Sequence, residues 1–170
     1  MSDEDIKIHR GLNNVYFDRT KTTYINGKEG VLEYRGYNIH DLSEKSSFEE
    51  VSYLLLYGKL PTKNELDSFN KSLKESREIP SKVIDIIRSI KESHPMDVLR
   101  TAVSALSAFD EEASDKSYDA TMRKGIRLTS QVPTIVMAHN AIRAGKDPVE
   151  PSKELSHAAN FIYMLDGKIP

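Results

Sequence analysis

At 170 residues the chain is long enough for one compact unit with a real core. Its 24 Lys and Arg nearly cancel 26 Asp and Glu, a formal net charge of −2, which excludes the strongly basic footprint of a nucleic-acid binder. The absence of cysteine excludes disulfides, thiolate metal sites and cysteine nucleophiles, and 38% hydrophobic beside 29% charged residues points to a charged helical surface or a core completed elsewhere.

Residues 1–10 read as a frayed leader, polar and without the apolar run of a secretory signal. No apolar stretch further on is long enough to span a bilayer, so a cytoplasmic protein without membrane contact is expected. A β-hairpin is predicted from Thr22, Thr23, Tyr24 and Ile25 before Asn26-Gly27, with Val31, Leu32 and Tyr34 after Gly30. Two strands alone are marginal in water, so the hairpin must pack on something else. From residue 46 the period becomes helical. Ser47 and Glu50 form a capping-box pattern, Val51, Leu54, Leu55 and Tyr57 line one face, and Gly58 is the expected C-cap. Pro61-Thr62 opens a second helix with Glu65 completing its box and Leu66, Phe69 and Leu73 inward. Pro80-Ser81 starts a third, with Val83, Ile84, Ile86, Ile87 and Ile90 inward, and Pro95 a fourth through Val98, Leu99, Val103, Leu106 and Phe109.

Asp110–Lys116 is predicted as a polar loop. A longer helix follows over residues 117–143, which Pro133 is expected to end or kink. Gly145-Lys146-Asp147-Pro148 breaks the chain, and Pro151-Ser152 starts a last helix through Leu155, Phe161 and Leu165 to Asp166-Gly167. The predicted fold is mainly α: about six helices behind a short N-terminal β-hairpin, with residues 11–170 as one unit. The sequence stops at Pro170 straight after an apolar helix, as a truncated piece would.

The side chains that could carry chemistry are scattered. His94, before Pro95, is read as a helix-capping residue in preference to a proton-transfer group. His139 and His157 lie among apolar neighbours and are read as packed helix-face residues, and His9 and His40 as exposed loop or helix-end residues. No pair has metal-ligand spacing, and Gly27, Gly30, Gly36, Gly58, Gly125 and Gly145 build no phosphate-cradling turn. Asp110, Glu111, Glu112 and Asp115 lack the central Gly and terminal Glu of a calcium loop and are read as solvated. Arg123, Lys124 and Arg127 form a small basic patch that could meet a phosphate, but a solvated helix surface is the favoured reading. Residue chemistry alone indicates no catalytic site and no metal site.

Five segments, in order, resemble the citrate synthase family, in particular the shorter enzymes of archaea and many bacteria. They are Gly30-Val-Leu-Glu-Tyr-Arg-Gly-Tyr-Asn-Ile39, Tyr53-Leu-Leu-Leu-Tyr-Gly-Lys-Leu-Pro-Thr62, His94-Pro-Met-Asp-Val-Leu-Arg-Thr-Ala-Val-Ser-Ala-Leu106, Pro133-Thr-Ile-Val136 and Ala159-Asn-Phe-Ile-Tyr-Met-Leu165. Each is weak alone; their joint order and spacing over residues 11–167 is strong. The resemblance implies the N-terminal portion of the large helical domain of a homodimeric, two-domain enzyme. Such enzymes condense oxaloacetate with acetyl-CoA to citrate, a step of the tricarboxylic acid cycle, with CoA as co-substrate and no tightly bound cofactor. Their base carboxylate and histidines work at tuned pKa in a site closed against water.

The family's His-x-Asp-His-Glu helix, its Gly-Pro-Leu-His-Gly-Gly loop and its Gly-His-Arg segment occur nowhere in this sequence. No catalytic position is therefore carried over, substrate- and cofactor-binding residues stay unassigned, and the chain alone is expected to be inactive. Two alternatives stay open. One is 2-methylcitrate synthase, which shares the pattern; the other is a non-catalytic helical module or split-enzyme subunit on the same scaffold.

Overall fold

A computed structural model describes residues 9–12, 15–16 and 18–170. Most of the leader expected over residues 1–10 therefore lies outside the described residues.

The hairpin forms, with β1 (Thr23–Asn26) antiparallel to β2 (Val31–Tyr34). Its turn differs in detail from the expectation. Asn26 ends β1, its Oδ1 accepts the amides of Lys28 and Glu29 at 3.2 and 3.3 Å, and Gly30, not Gly27, takes the left-handed φ of 69°. A third strand, β3 (Tyr37–Asn38), joins β2 through the two-residue turn Arg35-Gly36, pairing Tyr34 with Tyr37. Both turn residues have positive φ, 52° and 86°, the twist that a two-residue hairpin needs. Arg35 also ties the sheet down, its Nη2 donating at 2.9 Å to the Leu55 carbonyl. That carbonyl is one of the groups a helix C-terminus leaves unpaired.

β3 runs straight into α1 (Ile39–Lys45), a helix the apolar periodicity did not announce. Asn38 caps it by accepting the His40 amide at 2.9 Å. The next helices are α2 (Phe48–Tyr57) and α3 (Lys63–Glu75). Both capping boxes are complete, Ser47 with Glu50 and Thr62 with Glu65, and Gly58 closes α2 in the left-handed conformation. Then come α4 (Ser81–Ser89), α5 (Pro95–Leu106), a 3-10 turn over Ser107–Phe109, α6 (Tyr118–Arg143) and α7 (His157–Asp166). The described residues thus hold seven α-helices and one three-stranded sheet.

The 26-residue α6 is the spine of the fold. One stretch packs Ile135, Ala138 and Ile142 against Val83 and Ile87 of α4 and Val98, Ala102 and Leu106 of α5. Nearer its start, Ile126 meets Tyr53, Phe69 and Leu73 from α2 and α3. There the Tyr53 and Tyr57 rings stack with centroids 4.3 Å apart, and Phe69 meets Tyr53 edge-on at 5.4 Å. Gly125 lets α2 approach, since a Cβ there would stand 3.2 Å from Leu56 Cδ2.

Several expectations are corrected. Of the two outcomes expected at Pro133, an end to the helix does not occur: α6 continues through it to Arg143. Packing on either side of the proline, Ile126 in the α2–α3 cluster and Ile135 in the α4–α5 cluster, anchors both halves, which outweighs the missing amide. Pro133→Ala is accordingly expected to raise stability by about 1–2 kcal/mol, the regained helix bond less the greater freedom of the unfolded chain. A lower urea midpoint for this variant would contradict that account.

The last helix starts at His157 and not at Pro151-Ser152, because the Ser156 hydroxyl takes the Ala159 amide and so sets the cap. Its inner face is His157, Asn160 and Met164, while Leu165 is 52% exposed. Phe109 is likewise 41% exposed, lying beyond the end of α5 in the 3-10 turn. In α2 the buried pair is Tyr53 and Leu54, with Tyr57 at the edge.

Candidate functional site

The histidines are spread over different elements. His94 caps α5, its Nδ1 accepting the Met96 amide at 3.2 Å, as the capping reading required. His139 is buried in α6 with Nε2 3.0 Å from the Lys91 carbonyl. A carbonyl only accepts, so Nε2 carries the proton and ties α6 to the segment after α4. His40 is exposed in the first turn of α1, and His9 is half-buried. Among the described residues no group of three or more His, Asp or Glu side chains could hold a metal ion. Among the described residues no helix is long and apolar enough to cross a membrane.

The acidic loop and the basic patch, both read as solvated, instead bind each other. Arg127 reaches back to Asp110 with Nη2–oxygen distances of 2.8 and 2.9 Å and to Glu112 Oε2 at 2.8 Å through Nη1. Arg123 Nε donates to Glu112 Oε1 at 2.9 Å. The Lys124 ammonium sits inside a ring of backbone carbonyls, those of Glu112 at 3.1 Å, Ala113 at 3.4 Å and Asp115. Sequence separations of 9 to 17 residues hide this pairing from any local pattern.

The bonds to Arg123 and Arg127 hold the Glu112 carboxyl down at about 2, against an ordinary 4.5. Asp110 is lowered too, first by its bond to Arg127. The stability these carboxylates contribute is present above their unfolded values and is lost as pH falls towards the folded ones. All three basic side chains are bonded to the loop, so the cluster straps it down. Under the strap lies a cavity of about 470 Å³ whose apolar wall includes Val103, Leu106, Phe109 and Leu128.

A second cluster went unnoticed in the sequence. Arg77, in the connection between α3 and α4, is only 2% exposed. Its Nη1 donates to the Ser152 carbonyl, while its own carbonyl accepts Thr134 Oγ1 of α6 at 2.8 Å. Glu49 of α2 accepts the His157 amide at 2.8 Å, and the buried His157 ring stacks on Phe48 with centroids 4.3 Å apart. The clue was the rhythm Phe69, Leu73, Arg77, which carries an arginine to a buried position four residues past a core leucine. Beside this cluster lies a cavity of about 590 Å³, walled by Phe48, Ala158 and Phe161 together with Leu128, Val132 and Pro133. It is apolar and holds no paired nucleophile and base.

The geometry thus describes a scaffold with buried polar ties and apolar cavities beside them. Comparison with known proteins says whose scaffold it is. Residues 11–170 match the family described as "Citrate synthase, C-terminal domain". The chain is 42% identical over 169 residues to citrate synthase of Haloferax volcanii, covering 96% of this chain and 45% of that protein. It is 37% identical over 164 residues to 2-methylcitrate synthase 1 of Corynebacterium glutamicum, covering 96% of this chain and 43% of that one. Among solved structures, citrate synthase from Pyrobaculum aerophilum superposes with a TM-score of 0.91 at 38% identity, over 96% of this chain and 43% of that chain. The chain therefore spans less than half the length of the relatives it matches. With nearly all of its residues accounted for in both sequence and fold, the chain belongs to the citrate synthase family.

Proposed function

We propose that the chain is the N-terminal portion of the large helical domain of a cytoplasmic, homodimeric citrate synthase, the enzyme that condenses oxaloacetate with acetyl-CoA. What supports the reading is identity above 40% to a citrate synthase along almost the whole chain. The 37% identity to a 2-methylcitrate synthase equals that to some citrate synthases, so acetyl-CoA is preferred as the commoner acyl donor of the family. In this reading the helices build the wall against which an active site forms, and the groups that move protons stand outside these 170 residues. Neither cavity lining offers an imidazole paired with a carboxylate. His94 and His139 are spent on backbone groups.

The test is a thiol-release assay on the 170-residue polypeptide with oxaloacetate and either acetyl-CoA or propionyl-CoA. No CoA release above the buffer rate is expected with either donor. Turnover by this polypeptide would overturn the assignment of the chemistry to residues outside it. A rate with propionyl-CoA alone would also reverse the choice of acyl donor.

A further inference from the structure

The Glu49–Arg77–His157 cluster ties the start of one helix to a titratable ring. His157 is the first residue of α7, and its main-chain amide is held by Glu49 of α2. Arg77 holds the carbonyl of Ser152 in the segment leading into α7, and Ser152 in turn donates at 2.7 Å to Asn160 Oδ1 on the helix. The start of α7 is therefore fastened by one carboxylate and one guanidinium, and the His157 ring stacks on Phe48 within reach of both charges. Among the described residues the buried His157 Nδ1 has no hydrogen-bond partner, and neither has Arg77 Nε.

We propose that His157 is a proton-operated latch on α7. Neutral, it lets the helix start seat against α2; protonated, it loosens that end and opens the apolar cavity beside it.

The charges around the ring decide the sign. Arg77, from the α3–α4 connection, repels an imidazolium, and so does the positive end of the α7 dipole at its first residue. Glu49, from α2, attracts it, but that carboxylate is already engaged with the His157 amide. Lys153, in the segment before α7, is paired with Glu78 at 2.7 Å. The α6 residues that share the cavity with His157, namely Leu128, Thr129, Val132 and Pro133, are uncharged. A second proton donor at Nδ1 would find no acceptor there. Burial first, then Arg77, hold the His157 pKa below its ordinary 6.5, with Glu49 opposing. A histidine depressed in the folded state contributes its full stability above the unfolded value and loses it as pH falls below that value.

Hydrogen exchange on the full chain tests the latch, comparing wild type with His157→Phe, which keeps a ring for Phe48 and cannot titrate. With intrinsic rates corrected, α7 amide protection in wild type is expected to fall by up to about tenfold per pH unit below roughly pH 6.5, while one proton is taken up. The variant should stay flat, and α4 and α5 amides should keep their protection in both proteins. Flat α7 protection in wild type, an equal loss in the variant, or a uniform loss over all helices would overturn the proposal. Should the phenylalanine variant fail to fold, the His157 ring resonance of wild type decides. Titration below the ordinary histidine range supports the latch, and titration at or above it overturns it.

Discussion

Arg77→Ala is expected to cost about 3–5 kcal/mol of folding stability, the range for removing one member of a buried polar tie together with its volume. The residue is nearly inaccessible, at 2% exposure. Its guanidinium binds the Ser152 carbonyl ahead of α7 and feels the Glu49 carboxylate, and its main chain is held by Thr134 of α6. Alanine leaves a void and an orphaned Ser152 carbonyl. Arg77→Met restores most of the volume and none of the charge, so about half the loss should remain, the share set by a charge-assisted hydrogen bond. Urea midpoints at constant slope measure both. Equal losses for the two variants would show that packing contributes nothing at this position.

Ile87→Ala should cost about 2–5 kcal/mol, and its neighbour Ile86→Ala less than about 1 kcal/mol. Ile87 is 0% exposed, in the cluster with Val83, Val98, Ala102 and Ile135 that holds α4 and α5 to α6. Ile86 is half-buried and is not part of that cluster. Both isoleucines were predicted to face inward, so the pair of variants measures how sharply packing divides two adjacent apolar residues. Similar losses at the two positions would mean that α4 is rotated from the orientation described.

The difference between neighbours shows where sequence reasoning was strong. Helix starts with a side-chain cap were legible because the bond closes within three residues: Ser47 with Glu50, Thr62 with Glu65, and Pro95 behind His94. So was the stop at Gly58, whose left-handed backbone disfavours other residues. Where a nearer cap competed, as Ser156 did with Pro151-Ser152, the expected boundary moved by several residues. The third strand was present in Tyr34-Arg35-Gly36-Tyr37, but a two-residue strand has too few side chains to display a period.

Family membership, the mainly helical class, the caps and the structural role of His94 were determined by the sequence itself, because each rests on residues a few positions apart or on the order of short segments. Only the tertiary structure decided that α6 runs on through Pro133, that Phe109 and Leu165 face outward, and that the strap cations pair with the loop. It alone placed Arg77 beside Glu49 and His157. These depend on contacts between residues far apart in the chain, Glu49 and His157 being 108 positions apart. Such pairs are chosen by how whole helices pack, and no local propensity encodes that choice.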